Sequence, residues 1–432
     1  MTRSPSRFGA PAIAARLGLH YAWVVVGMVF VLLLASAGVR SAPGILIEPL
    51  EADFGWSRGA ISFPLAVSLI TLGLAGPASG ALLNRIGLRS MVLLFLGLGA
   101  AGVALTATIQ NILGLYVFWG LFVGFGTGGV GTVLSAAVAN TWFETRRGLV
   151  TGILGGASSA GQFVLLFPLI AAESAWGWRG AVFGIGVLLA AVVLPLCLVL
   201  LRSRPADVGL APIGTTAKTI AAAAADTRIT PLREAVRVPE FWVLAGSFFI
   251  CGFTTIGLIG FHFIPHAGEH GFSKTQASGV VTLMGAMNIV GTLGSVWLTD
   301  RYSPRRLLAI YYFLRAGSLL VLPLITTLPL MSLFAIVFGL DFIATVPPTI
   351  MLTANHFGRR SVPTLFGWIT CSHMIGGAAA ALFAGQIHDV AGDYAIPIYV
   401  SGLLGLVAAA LVFTMKTSSG TAPPAAAAAS AG

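Results

Sequence analysis

Arg40, Arg315, Asp341 and His373 lie inside long apolar runs, where little water can reach them, and His262 lies near the end of another. An arginine in such surroundings keeps its charge and can fork two hydrogen bonds to a carboxylate. It is costly there unless it faces an aqueous cavity or a partner. Arg40 sits in Ala37-Gly38-Val39-Arg40-Ser41-Ala42-Pro43-Gly44, about 19 residues into its run, so roughly 28 Å along a helix axis at 1.5 Å per residue. Two readings stay open: an anion-binding group facing a cavity, or a side chain snorkelling to the nearer interface. Gly38, Pro43 and Gly44 predict a bent or broken helix around it.

Arg315 and Asp341 lie in consecutive apolar runs, and antiparallel neighbours would bring them together. They read either as a permanent ion pair or as a proton-coupling switch, because a buried carboxylate stays ionised when paired and holds a proton when not. Pro347-Pro348 predicts a kink close to Asp341. His373 could donate to an anion or shuttle protons. His262 and His266 stand one helical turn apart; that spacing suits a metal, but no third ligand is evident, so no metal is expected. Asn288, Gln162 and Tyr116 are polar residues inside other runs and candidate cavity liners.

The elements that must hold these residues are membrane helices. Of 432 residues, 57% are hydrophobic and only 9% charged. Soluble domains average about 25% charged residues, so lipid must cover this chain. Twelve runs of helix-spanning length start near residues 21, 59, 90, 112, 149, 180, 241, 277, 307, 331, 364 and 397. None alternates with period two, so the fold class is an all-α membrane protein. Inner loops would carry 19 Lys and Arg against three outside (Arg58, Arg179 and Lys274), which predicts cytoplasmic termini. The net charge of +10 is thereby a topology signal and not a nucleic-acid surface. The run from Tyr21 is too long for a cleavable leader.

The expected order is a cytoplasmic segment 1–19, a six-helix bundle 20–202, a polar linker 203–239, a second bundle 240–416 and a disordered tail 417–432. Two copies of one bundle are expected because Pro49-Leu-Glu-Ala-Asp-Phe-Gly55-Trp56-Ser57 recurs 216 residues on, as Pro265-His-Ala-Gly-Glu-His-Gly271-Phe272-Ser273. Pseudo-symmetric halves in a membrane protein are the usual build of a secondary transporter.

A second repeat joins spans two and three, and spans eight and nine. Asn84-Arg85 before Leu88-Arg89 recurs as Asp300-Arg301 before Pro304-Arg305. It resembles the loop signature of the major facilitator superfamily, although the first copy has Asn84 where that family has Asp. The resemblance implies twelve helices in two bundles and a conformational latch made by Asn84, Arg85, Arg89, Asp300, Arg301 and Arg305. Trp142-Phe143-Glu-Thr-Arg146-Arg147, followed by Gly152, Gly156 and Ser159-Ala160 on one helix face, is similar to the start of span five in monocarboxylate transporters and the bacterial oxalate/formate antiporter-like group. Monocarboxylate transporters carry an Asp and an Arg one turn apart in span eight, where this chain has Asn288 and Thr292. They also carry a basic residue near the place of Arg40.

The expectation is therefore a monomeric, proton-coupled carrier of a small organic anion in a bacterial inner membrane. It would work by alternating access and would be neither an enzyme nor cofactor-dependent. Arg40, His373, Asn288, Tyr116, Gln162 and His262 are the candidate substrate contacts, and Asp341 with Arg315 the proton-coupling pair. The alternative is proton-antiport export of a neutral or cationic compound. The sequence has no P-loop for ATP and no selectivity-filter run.

Overall fold

The computed structural model describes residues 19–214, 230–358 and 361–416. The expected N-terminal segment, the middle of the linker and the tail beyond Lys416 lie almost wholly outside those residues. Among the described residues the chain is helical apart from loops and one isolated parallel bridge, Phe143 to Ile213.

Eleven helical stretches are long and apolar enough to cross a membrane. One of them, Leu149–Leu200, has 52 residues, about 78 Å at 1.5 Å per residue, and so holds two crossings. Its break is Gly177, with φ 67° and ψ 171°, a conformation that any Cβ would strain. The twelve spans are Tyr21–Phe54, Arg58–Leu83, Arg85–Thr106, Ile112–Trp142, 147–176, 178–200, Pro239–Glu269, Lys274–Thr299, Pro304–Leu324, Leu328–Phe357, Val362–Ala391 and Ala395–Thr414. Several begin a few residues before the apolar run does, because polar first turns are helical too.

By internal contacts the chain forms two units. One comprises Met1–Trp56 and Phe63–Ala225; the other comprises Ser57–Ser62 and Asp226–Gly432. Each unit uses the same neighbour pairs. In the first, span one lies along span five, with Gly161 against the backbone of Leu34. Spans two and four meet where Gly124 and Gly128 face Ser68 and Leu72, and spans three and six where Gly186 faces Ala104. In the second, the pairs are spans seven with eleven, eight with ten, and nine with twelve. Small residues at these crossings let backbones approach, which is how helices associate when lipid removes the hydrophobic drive between them. The repeated Gly55 and Gly271 both follow a helical segment with positive φ, 65° and 83°. The duplication seen in sequence is thus a duplication of backbone geometry.

A Cβ on Gly376 would strike the carbonyl of Phe249 across the contact between spans seven and eleven. Gly376→Val is therefore expected to destabilise the second unit by about 1–3 kcal/mol. Thermal unfolding in detergent checks this, and an unchanged midpoint would contradict the packing described.

Candidate functional site

The second unit contains a buried polar centre built around a gap in span ten. That span is two helices, Leu328–Asp341 and Val346–Phe357, separated by a tight turn whose backbone bonds run only three residues back, from Phe342 to Gly339, Ala344 to Asp341 and Val346 to Ile343. Pro347 and Pro348 cause the gap, because neither can donate a backbone hydrogen bond to the turn before it. In lipid the freed backbone groups need other partners. Span nine supplies Arg315, whose Nη2 donates to the carbonyls of Asp341 at 2.8 Å and Phe342 at 3.3 Å. Span eight supplies Ser295, whose hydroxyl donates to the Ala344 carbonyl at 2.6 Å. It also supplies Asn288, whose Oδ1 accepts from the Ile343 amide at 3.2 Å. Asn288, Thr292 and Ser295 follow at spacings of four and three, so they share one helix face.

The rest of Arg315 is equally committed. Its Nε donates to Asp341 Oδ2 at 2.5 Å, and its Nη1 to Cys251 Sγ at 2.9 Å and Thr254 Oγ1 at 3.3 Å. All five guanidinium N–H groups therefore have acceptors. Tyr312 and Phe338 present ring faces at 5.6 and 5.9 Å. Arg315 is 0% exposed and Asp341 3%. One oxygen is left over: Asp341 Oδ1 is buried without a hydrogen-bond partner among the described residues. The Nδ2 of Asn288 is in the same condition.

The family model for the Major Facilitator Superfamily matches residues 28–357 and 263–431. The chain belongs to the major facilitator superfamily. The MFS-type transporter YcxA of Bacillus subtilis (strain 168) is 25% identical over 398 residues, covering 88% of this chain and 91% of its own length. Monocarboxylate transporter 12-B of Danio rerio is 23% identical over 423 residues, covering 91% and 87%. Among solved structures, a bacterial homolog of the human lysosomal transporter Spinster, in an inward-facing and occupied conformation, superimposes with a TM-score of 0.72 at 15% identity, covering 91% of this chain and 96% of that one. That likeness shows the fold.

The other expected site residues of this superfamily member are scattered over both units. In the first, Arg40 is half-buried and has no hydrogen bond or ion pair with a described residue. The helix does not break sharply beside it: Ala42 keeps helical angles (φ −60°, ψ −35°), and only Pro43 interrupts the ladder. Tyr116 opens a π-helical stretch, Tyr116–Val123, and Gln162 lies on span five; both are half-buried. In the second unit His373 faces Phe248, with Nδ1 3.1 Å from its carbonyl and the rings 4.7 Å apart. His262 is buried with both nitrogens used, one on the Tyr394 hydroxyl at 3.3 Å and one on the Ala381 carbonyl at 3.1 Å.

The repeated loop places its arginines alike in the two units. Arg89 Nη2 donates to the Leu198 carbonyl at 2.5 Å, and Arg305 Nη1 to the Met415 carbonyl at 2.6 Å. Each thus meets the C-terminal end of the sixth helix of its own unit, where a cation is favoured. Arg301 covers the Trp297 ring at 3.9 Å, Asp300 closes span eight, and Arg85 is exposed. The side chain of Asn84 lies outside the described atoms. Sequence reasoning missed Ser295, Cys251 and Thr254, although the helical spacing of Ser295 from Asn288 was a usable signal.

Removing one partner from the buried centre leaves an uncompensated charge. Arg315→Met is expected to cost about 3–5 kcal/mol of stability, and Arg315→Met with Asp341→Leu to recover part of that loss. Denaturation of the three proteins decides this; a double variant less stable than the single one would contradict the pairing.

Proposed function

We propose that this transporter moves a small organic anion and couples its passage to protons. The observation that carries the reading is the contrast between two arginines. Arg315 has no donor to spare, whereas Arg40 is half-buried and keeps its whole fork for a ligand. A carboxylate is the anion that such a fork fits best. Several relatives carry the name monocarboxylate transporter, and they support the same class of cargo. His373, Tyr116 and Gln162 would supply neutral contacts; His262, buried with both nitrogens engaged, and Asn288, buried and turned to span ten, leave that set. Asp341 is the proton carrier in this reading, through its unpartnered Oδ1. Neutralising that carboxylate would loosen its hold on Arg315 Nε and leave the four other contacts of the guanidinium in place.

The bundles 20–202 and 240–416 would rock about the substrate, with 203–239 as the linker and the repeated loops (Asn84, Arg85, Arg89; Asp300, Arg301, Arg305) as the latch. The charge count supports cytoplasmic termini, and in this reading the membrane is a bacterial plasma membrane and the working unit a monomer.

Purified protein should be stabilised against heat by short carboxylates such as lactate, by about 2.7 kcal/mol at a hundredfold excess over Kd. Arg40→Ala should lose that shift and Arg40→Lys keep a fraction of it. An undiminished shift in Arg40→Ala would remove the anion role, and stabilisation by amines alone would favour the export reading.

In proteoliposomes an inward proton gradient should accelerate lactate uptake. Asp341→Asn should abolish the acceleration while sparing lactate counterflow. Persistent acceleration in that variant would remove Asp341 from the coupling.

A further inference from the structure

The two ends of the linker are docked on the Trp142–Arg147 stretch noted above and on its counterpart in the second unit. In the first unit the end of span four, the loop after it and the start of span five read Asn140-Thr-Trp142-Phe143-Glu-Thr-Arg146-Arg147. In the second, the end of span ten and the residues after it read Asn355-His356-Phe357-Gly358-Arg359-Arg360, with Phe357 standing 214 residues after Phe143. Each phenylalanine meets the first helix of its unit edge-on. Phe143 lies 5.3 Å from Trp23, and Phe357 lies 6.4 Å from Phe241.

The beginning of the linker pairs with the first of these loops. The Ile213 amide donates to the Trp142 carbonyl at 2.9 Å, and the Ile213 carbonyl accepts from Glu144 at 2.9 Å and Thr145 at 3.3 Å. These contacts end one residue before Arg146, which has φ 63° and is the only positive-φ residue other than glycine among the described residues. Such a conformation is strained in a side-chain-bearing residue and persists only where its surroundings hold it. Gly214 follows with φ 81°, and a Cβ there would collide with the Thr145 side chain.

The end of the linker pairs with the second loop. Thr230 donates its amide to Ser361 Oγ at 2.7 Å and its hydroxyl to the Phe357 carbonyl at 2.9 Å. The turn that follows buries Ala235 in the core of the second unit. The loops so held are those from which spans five and eleven start.

We propose that the linker is a positioning element for transport: its two ends fix the first turns of spans five and eleven, and the strained Arg146 is the mark of that hold. Ile213, Gly214 and Thr230 are the positioning residues. The assignment is independent of the cargo, so it stands or falls apart from the anion reading.

Hydrogen–deuterium exchange on the full chain tests it. Gly214→Ala should speed exchange of the Glu144 and Thr145 amides by roughly fivefold, the loss of about one hydrogen bond. Adding Arg146→Gly, which relieves the strain, should restore much of the protection. Thr230→Val should speed exchange at Gly358, and Thr230→Ser should not. Gly152→Cys, at a position where a Cβ meets open space, reports on the first turns of span five. Its reaction with N-ethylmaleimide should quicken roughly fivefold in Gly214→Ala while buried Cys197 stays unreactive. Unchanged exchange at 144 and 145 would overturn the proposal. So would a parallel rise at Cys197, which marks general loosening.

Discussion

The guanidinium of Arg315 fills the gap in span ten, and the second unit is organised around that fact. Two adjacent prolines leave a helix in lipid with backbone groups that water cannot satisfy. Arg315, Asn288 and Ser295 take up those groups from two neighbouring spans, so spans eight, nine and ten become one hydrogen-bonded body. Arg315 bears charge, so its presence in turn requires Asp341, and Cys251 and Thr254 complete the cage from span seven. A polar centre that would be expensive on its own is thereby tied to a helix break that its own backbone bonds only partly satisfy.

That arrangement explains why the charged pair of span eight can be absent. The face that carries Asn288 and Thr292 is occupied in serving span ten; Thr292 donates to Asn288 at 3.3 Å, and Asn288 accepts from Ile343. Arg315 has likewise no donor left. Positive charge for a solute would have to come from another helix; Arg40, half-buried and without a hydrogen bond or ion pair to a described residue, is the group we propose for it. Asp341 contributes something different, a single buried oxygen that only a proton or a new donor can satisfy.

Much of this was legible in the residues. The 216-residue repeat gave the two-unit architecture because duplicated sequence kept its special backbone positions, as Gly55 and Gly271 show. The kink at Pro347-Pro348 and the meeting of Arg315 with Asp341 followed from proline chemistry and from the cost of lone charges in lipid. What was hidden depended on rotation of one helix about its axis. That Asn288 and Ser295 point at span ten, and that all five donors of Arg315 are engaged, are matters of facing direction that no single sequence spacing fixes. The mild geometry at Ala42 was also hidden, because Pro43 can sit in the first turn of a continuing helix. The linker anchors were missed for another reason. Their bonds are mostly made by backbone groups, which are the same in every residue type.

The most direct test of the account is infrared spectroscopy of the protein in lipid as a function of pH, following the carboxylic-acid carbonyl band. The account predicts a buried, titrating carboxylic acid whose band disappears in Asp341→Asn and persists in Arg40→Ala. A spectrum with no such band at any pH, or one that Asp341→Asn leaves intact, would contradict it.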